Sequence, residues 1–99
     1  MNINKTYVDN NLTVQVEGRI DTITSQELEE SLNEDIEKID TLTLDFKELE
    51  YISSAGLRVL IATQKKLKAN DASLTIINAN DTLKEIFRMS GFDKLLTIQ

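Results

Sequence analysis

The chain has 99 residues, of which 40% are hydrophobic and 28% are charged, and its formal net charge at pH 7 is -6. This length suits one compact domain with a single core, and we expect that domain to cover residues 1–99. The acidic balance disfavours nucleic acid and anionic membranes as partners, because both repel a negatively charged protein. On net charge alone, a basic protein partner is the easier one to bind.

The residue types that are missing limit the chemistry that the chain can perform. It contains no histidine, cysteine, tryptophan or proline. This excludes disulfides and removes the commonest general base, the strongest nucleophile and most soft-metal ligands. We therefore expect no metal, no cofactor and no catalytic activity. No apolar run approaches the ~18 residues of a membrane span and no signal-like segment opens the chain, so we expect a cytoplasmic protein.

The first part of the chain is predicted to form a β-hairpin. Residues Leu12 to Val16 alternate apolar and polar side chains, which is the period of a strand with one buried face. A shorter strand around Ile3 to Val8 is expected to pair with it through the turn Asp9-Asn10-Asn11.

A helix is predicted to follow the hairpin. Thr24 to Glu27 has the pattern of a capping box, in which the Thr24 hydroxyl and the Glu27 carboxylate each satisfy a backbone donor. An apolar stripe then recurs at helical spacing and should face the core: Leu28, Leu32, Ile36 and Ile39. The acidic residues between these positions are expected to face solvent: Glu29, Glu30, Glu34, Asp35 and Glu37.

The middle of the chain is predicted to form a strand, a loop and a second helix. The strand covers Leu42 to Phe46, and the loop covers Lys47 to Ile52. The helix that follows has this apolar face: Leu57, Leu60, Ile61 and Leu67. Its last turns carry Lys65, Lys66 and Lys68, which we interpret as a helix end that favours cations and not as an anion site.

The C-terminal part is predicted to add one more strand and one more helix. Leu74 to Ile77 form the strand, and Asn80 to Thr82 offer caps for the helix. The helix should end at Ser90-Gly91, because glycine tolerates the left-handed conformation at a helix exit. Phe92 to Ile98 are expected to form a short helical or strand-like segment.

The element order β-β-α-β-α-β-α defines the expected fold class. Strands that are separated by helices run parallel through right-handed crossovers, whereas the first two form a hairpin. We therefore expect an α/β domain with a mixed, mostly parallel sheet of four to five strands. Because the strands alternate apolar and polar residues, helices should cover mainly one face of this sheet.

The stretch Tyr51 to Leu60 is the most informative part of the sequence, because a strand-like run there gives way to a helix through Ser53-Ser54-Ala55-Gly56. A serine at a helix N-terminus can cap the helix, attack a substrate or receive a phosphate. An esterase would need a general base, and the chain has no histidine and no nucleophile-elbow pattern. A cap and a phosphate acceptor both remain open, and they are compatible with each other.

Three motifs resemble those of the STAS family, the sulphate-transporter and anti-sigma-factor-antagonist domains. The first is Leu44-Asp45-Phe46 followed by Tyr51 to Leu57, and the second is Ile86 to Phe92 with its Met-Ser-Gly ending. The third is the loop Gly18-Arg19-Ile20-Asp21. They occur in the family's order and spacing, so the resemblance covers essentially the whole chain as one STAS domain.

The resemblance implies a bacterial anti-sigma factor antagonist that acts by partner switching. In such a cycle the unphosphorylated antagonist binds an anti-sigma factor that is also a serine kinase, and this frees the sigma factor. Phosphorylation of the serine two residues before the motif glycine releases the partner, and a metal-dependent phosphoserine phosphatase restores the free form. That serine corresponds to Ser54. The partner-binding residues expected from the motifs are Asp21, Ser53, Ser54, Ala55, Gly56 and Arg58.

The motif departs from the family pattern on both sides of Ser54. Ser53 stands where an aspartate is usual, and Ala55 stands where a second serine or threonine is usual. Ala55 removes a competing hydroxyl, whereas Ser53 adds one and is the alternative phosphorylation site. A non-switching STAS module that acts as a scaffold or as a soluble subunit of a transport system is the alternative function. No Gly-rich phosphate loop indicates nucleotide binding.

Overall fold

A computed structural model describes all residues, 1–99, and shows six strands and three α-helices. In chain order the strands and helices are β1 Asn2–Val8, β2 Asn11–Ile20, α1 Thr24–Asn33, β3 Thr41–Asp45, β4 Leu49–Ile52, α2 Ser54–Ala69, β5 Ser73–Ile77, α3 Asp81–Ser90 and β6 Thr97–Ile98. Two short 3₁₀ turns, Ile36–Lys38 and Phe92–Lys94, follow α1 and α3. None of the α-helices combines the length and apolar character needed to span a bilayer.

The sheet is mixed and mostly parallel, as predicted. Its main order is β1-β2-β3-β5-β6, and only the β1–β2 hairpin is antiparallel. The sheet has six strands instead of four to five. The additional strand β4 lies in the segment predicted as a loop, and the two-residue β6 lies at the chain end. Leu49 and Ile52 are buried while the residues between them are exposed, so β4 lacks the alternation by which the other strands were recognised.

The long strand β2 pairs with two different neighbours, and its pairing with β4 is interrupted by one extra residue of β4, Glu50. Its first half, from Asn11 to Gln15, pairs with β3, and its last residues pair with β4. The register shifts between Gly18 and Arg19, and Gly18 has a φ of +99°, which glycine adopts without the strain of a side chain. The Gly18 N–H donates to the carbonyl of Glu48, 3.0 Å away. The end of β2 therefore lies beside β4 and not beside β3.

The core lies between one face of the sheet and the helices. The apolar residues of the inner strands on this face are fully buried, and those of the edge strands β1 and β6 are partly buried. The largest fully buried side chains of the core are Phe46 and Phe87. The other face is polar. One row of threonines crosses five strands in register on that face: Thr6, Thr13, Thr43, Thr75 and Thr97. These threonines are exposed or half-buried, which confirms that helices cover mainly one face.

The apolar stripe of α1 is buried as predicted, but Asp35 is not exposed to solvent. α1 ends at Asn33, so Asp35 lies between the helix and the following 3₁₀ turn and is only 7% exposed. Its carboxylate accepts hydrogen bonds from the Lys5 ammonium, at 2.7 Å, and from the Tyr7 hydroxyl. Burial opposes ionisation, but these two donors outweigh it and lower the pKa of Asp35. The same contact raises the pKa of Tyr7 to about 12. This cluster joins β1 to α1.

Candidate functional site

The segment Ser53-Ser54-Ala55-Gly56, here called the serine loop, lies where two parallel strands end side by side. Ile20 at the end of β2 is the register partner of Ile52 at the end of β4. The Ser53 N–H continues this pairing and donates to the Ile20 carbonyl at 2.8 Å. Asp21 and Ser53 are therefore the next residues along the two adjacent strand ends. The carboxyl ends of parallel strands are the usual position of binding sites in α/β folds.

Ser53 and Ser54 have different roles at the start of α2. Ser53 is the N-cap, with extended backbone, and its hydroxyl oxygen accepts a hydrogen bond from the Gly56 N–H at 3.2 Å. Ser54 is the first residue of the helix, and its side chain is exposed and has no hydrogen-bond partner. The sequence left both serines open as caps. The structure assigns the cap to Ser53 and leaves the Ser54 hydroxyl free.

Gly56 fixes how closely α2 approaches the sheet. A Cβ atom at this position would lie 2.6 Å from Cγ2 of Ile20 and 2.7 Å from Cγ1 of Ile52. Both isoleucines are buried and cannot move aside without disturbing the core. The glycine therefore lets the first turn of α2 rest directly on the ends of β2 and β4. Ala55 beside it is half-buried and carries no hydroxyl.

The Asp21 carboxylate satisfies backbone donors at the start of α1, and the predicted capping box of Thr24 and Glu27 is wrong. One Asp21 carboxylate oxygen accepts hydrogen bonds from the backbone N–H groups of Ile23, at 2.9 Å, and Thr24, at 2.8 Å. The Thr24 hydroxyl in turn accepts from the Asp21 N–H at 2.8 Å, whereas Glu27 takes no part. The reciprocal pair thus lies three residues earlier than predicted, because Thr24 is already the first helical residue. The Thr24 N–H is the main cause that lowers the pKa of Asp21.

Three exposed side chains near the serine loop were not predicted as site residues. The guanidinium carbon of Arg19 lies 4.7 Å from the ring centroid of Tyr51, a cation–π contact between register partners on β2 and β4. Tyr51 is 37% exposed and Ile23 is 81% exposed. Exposed aromatic and arginine side chains are frequent in protein interfaces. No sequence pattern indicates these three residues, because their proximity depends on the β2–β4 pairing.

Arg58, the remaining predicted site residue, lies on α2 four residues after Ser54. Side chains at this spacing lie on the same helix face one turn apart. Arg58 is exposed and has no hydrogen-bond or ion-pair partner. The structure therefore brings Asp21, Ser53, Ser54 and Gly56 together at two strand ends and leaves Arg58 beside them.

The start of α2 is chemically suited to an anion. The first N–H groups of a helix have no acceptor within the helix, and the helix dipole favours an anion at this end. The larger cavity of the molecule, of about 220 Å³, lies elsewhere and is lined by six residues: Gln15, Val16, Glu17, Asp45, Lys47 and Glu48. No residue of the serine loop contributes to it.

The fold and the serine loop match those of a known family. The profile of the STAS domain family matches residues 2–99, and the chain belongs to this family. Two relatives are anti-sigma factor antagonists by name. The BtrV protein of Bordetella bronchiseptica is 30% identical over 93 residues, which cover 93% of this chain and 80% of the relative. The anti-sigma-B factor antagonist of Staphylococcus aureus is 30% identical over 100 residues, which cover 99% of this chain and 92% of the relative.

Solved structures share the fold at lower sequence identity. An anti-sigma factor antagonist from Mycobacterium paratuberculosis has a TM-score of 0.87 at 23% identity, covering 98% of this chain and 83% of that chain. The Bacillus cell fate determinant SpoIIAA in its phosphorylated form has a TM-score of 0.78 at 15% identity, and the match covers 99% of this chain and 91% of that chain. A sulfate transporter family protein from Wolinella succinogenes has a TM-score of 0.79 at 17% identity, and the match covers 93% of this chain and 75% of that chain. The fold alone therefore does not select between antagonists and transporter modules.

Proposed function

We propose that this protein is an anti-sigma factor antagonist that acts by partner switching at Ser54. The unphosphorylated protein binds an anti-sigma factor with serine kinase activity, and this frees the sigma factor. Phosphorylation of Ser54 releases the partner, and a phosphoserine phosphatase restores the binding form. The observation that carries this proposal is that Ser53 holds the helix cap while the Ser54 hydroxyl is exposed and free.

The free hydroxyl favours Ser54 over Ser53 as the phosphate acceptor. The Ser53 hydroxyl is half-buried and already accepts from the Gly56 N–H, so it is less accessible to a kinase than the exposed Ser54 hydroxyl. Phosphorylation of Ser54 leaves the cap intact. Serine and aspartate are about equally good N-caps, so Ser53 can cap α2 as well as the aspartate that is usual at this position in the family. It lacks only the negative charge.

The local structure can accept the phosphate without refolding. A phosphate adds about -1.5 to -2 charges and three acceptor oxygens. At Ser54 these oxygens would lie at the N-terminus of α2, where free N–H groups and the helix dipole favour an anion. That the related fold of SpoIIAA is known in a phosphorylated form is consistent with this.

The negative charge of this phosphate would weaken the binding of a partner that covers the serine loop. The pKa of Asp21 is lowered, so this carboxylate is ionised at neutral pH and lies at the strand end next to that of Ser53. A docked partner would meet two neighbouring anions after phosphorylation, and a poorly matched charge in an interface costs several kcal/mol. The protein would be substrate and ligand of its cytoplasmic partners and not an enzyme.

Phosphorylation by the cognate kinase tests this proposal directly. The wild-type chain and the variants Ser54→Ala and Ser53→Ala are incubated with the anti-sigma factor kinase and ATP, and the phosphate is located by mass spectrometry. We expect one phosphate on Ser54 in the wild type and in Ser53→Ala, and none in Ser54→Ala. Phosphate on Ser53 would move the switch to that residue. No transfer, together with co-purification of a membrane transporter, would support the non-switching STAS module instead.

A further inference from the structure

The exposed face of α2 carries a line of cations that begins next to Ser54. Arg58, Lys65 and Lys68 follow Ser54 at spacings of four, seven and three residues, which keeps them on one stripe of the helix. All three side chains are exposed, and none forms a hydrogen bond or an ion pair. Lys66, on a different side of the helix, instead donates to Asn33 at 3.0 Å. The stripe is thus locally basic on a protein whose net charge is -6.

An open apolar groove lies within this stripe. It has a volume of about 140 Å³ and is lined by Ile61, Gln64, Lys65 and Lys68 of α2 and by Leu95, which follows the second 3₁₀ turn. Leu95 is 55% exposed and Ile61 is half-buried, so the apolar part of the groove is accessible. Two unpaired ammonium groups flank it. From Ser54 to Lys68 the stripe extends over 14 residues and is about 20 Å long, at about 1.5 Å per residue.

We infer that this α2 stripe is a docking surface for an acidic amphipathic segment of a protein partner. One apolar side chain of the segment would fill the groove between Ile61 and Leu95, and its carboxylates would face Arg58, Lys65 and Lys68. This changes our interpretation of Lys65 and Lys68 from a plain helix end to a site for carboxylates, because the groove between them is visible only in the structure. Charge complementarity selects this occupant, because a basic segment would meet three unpaired cations there. The acidic net charge slows such an encounter at long range, but local charges decide the contact within a Debye length of about 8 Å. The partner's identity as a kinase rests on the proposed function; the surface itself does not.

The stripe also links docking to the switch. Arg58 lies one helical turn from Ser54, so a phosphate on Ser54 can form an ion pair with Arg58 within the same helix. This would withdraw one of the three cations from the partner and add negative charge at the end of the stripe. Phosphorylation would thus weaken the binding of the acidic segment to the stripe as well as the partner's contacts with the serine loop.

A peptide titration tests the surface without any kinase. The probe is a blocked amphipathic peptide about four helical turns long, with one leucine flanked by glutamates at helical spacing, and it is added to the ¹⁵N-labelled full chain. We expect amide shifts concentrated along residues 58–68 and at Leu95, which shrink as salt is raised. A control peptide with glutamine in place of every glutamate should bind much more weakly. Equal binding of both peptides, or shifts confined to other surfaces, would overturn the inference.

Charge reversal tests the same surface with the partner itself. Lys65→Glu combined with Lys68→Glu should weaken binding of the anti-sigma factor kinase about tenfold or more, because two attractive contacts become repulsive. The matched control is Lys47→Glu combined with Lys84→Glu, two exposed lysines away from the stripe, which should change the affinity less than twofold. If the kinase binds the wild type and the Lys65/Lys68 double variant equally well, the inference fails and the proposed function stands. If the kinase does not bind the wild type, the proposed function fails and the peptide titration decides the inference alone.

Discussion

The hydroxyl oxygen of Ser53 accepts a hydrogen bond from the backbone N–H of Gly56, 3.2 Å away, and this one contact fixes the start of α2. It occupies Ser53 and places Ser54 in the first helical turn with its hydroxyl free. Two adjacent serines that look equivalent in the sequence thus become a structural residue and a chemically available one.

Loss of the α2 cap should cost stability only at Ser53. We expect Ser53→Ala to lower the free energy of unfolding by about 1 kcal/mol, because the Gly56 N–H loses its acceptor. Ser53→Asp should retain most of the stability, since aspartate also caps. Ser54→Ala should change it by less than about 0.5 kcal/mol, as for other surface substitutions. Urea unfolding measures all three, and a larger loss for Ser54→Ala than for Ser53→Ala would contradict the assigned cap.

A methyl group at Gly56 should separate α2 from the sheet. Gly56→Ala should lower the free energy of unfolding by about 1–3 kcal/mol, because the new Cβ would lie within 3 Å of Ile20 and Ile52. Ile52→Ala removes one of the two contacts, so the double variant should be destabilised by less than the sum of the single changes. Thermal unfolding of the four chains measures this cycle. Strict additivity of the two single changes would show that the clash with Ile52 does not cause the destabilisation by Gly56→Ala.

Asp21, and not Glu27, should support the start of α1. Asp21→Ala should lower the free energy of unfolding, because the N–H groups of Ile23 and Thr24 lose their acceptor. Asn is an equally good cap, so Asp21→Asn should cost much less. Glu27→Ala should cost about half as much as Asp21→Ala or less. If Glu27→Ala proved the more destabilising change in urea unfolding, the result would support the predicted capping box of Thr24 and Glu27 instead.

The buried cluster at Asp35 should contribute to acid sensitivity. The pKa of Asp35 is lowered from 3.8 in the folded chain, so its stabilising effect is complete above this value and is lost as pH falls through the folded pKa. Asp35→Asn should therefore destabilise the protein at pH 7, by about 1–3 kcal/mol, and less at pH 3. Asp40→Asn removes the same charge from an exposed position and is the control. Equal effects of the two variants at both pH values would exclude a special role of Asp35.

The elements were predictable where one face of a strand or helix is buried. Alternation revealed β2 and β3, the expected hairpin and a short apolar run indicated β1 and β5, and helical spacing or capping residues revealed the three helices. The pairing of β2 with β4 was not predictable, because it depends on the backbone of Gly18 and on a contact between distant segments. Asp35 was placed wrongly for a related reason, since α1 ends before the apolar stripe does.

The sequence indicated the residues of the candidate site but not the local hydrogen bonds that distinguish them. The resemblance to the STAS family indicated Asp21, Ser54 and their neighbours from motifs alone. The distinction between Ser53 and Ser54 depends on the extended backbone of residue 53, which both serines can adopt in isolation. The contact of Arg19 with Tyr51 and the exposure of Ile23 follow from the β2–β4 pairing and carry no motif of their own.

The affinity of Ser54→Ala and Ser54→Asp for the anti-sigma factor kinase tests the switch at Ser54 most directly. Isothermal titration calorimetry should show Ser54→Ala binding as tightly as the unphosphorylated wild type. Ser54→Asp should bind about tenfold to a hundredfold more weakly, because a fixed negative charge beside Asp21 would face the partner. Equal affinities of the two variants would contradict partner switching at this serine.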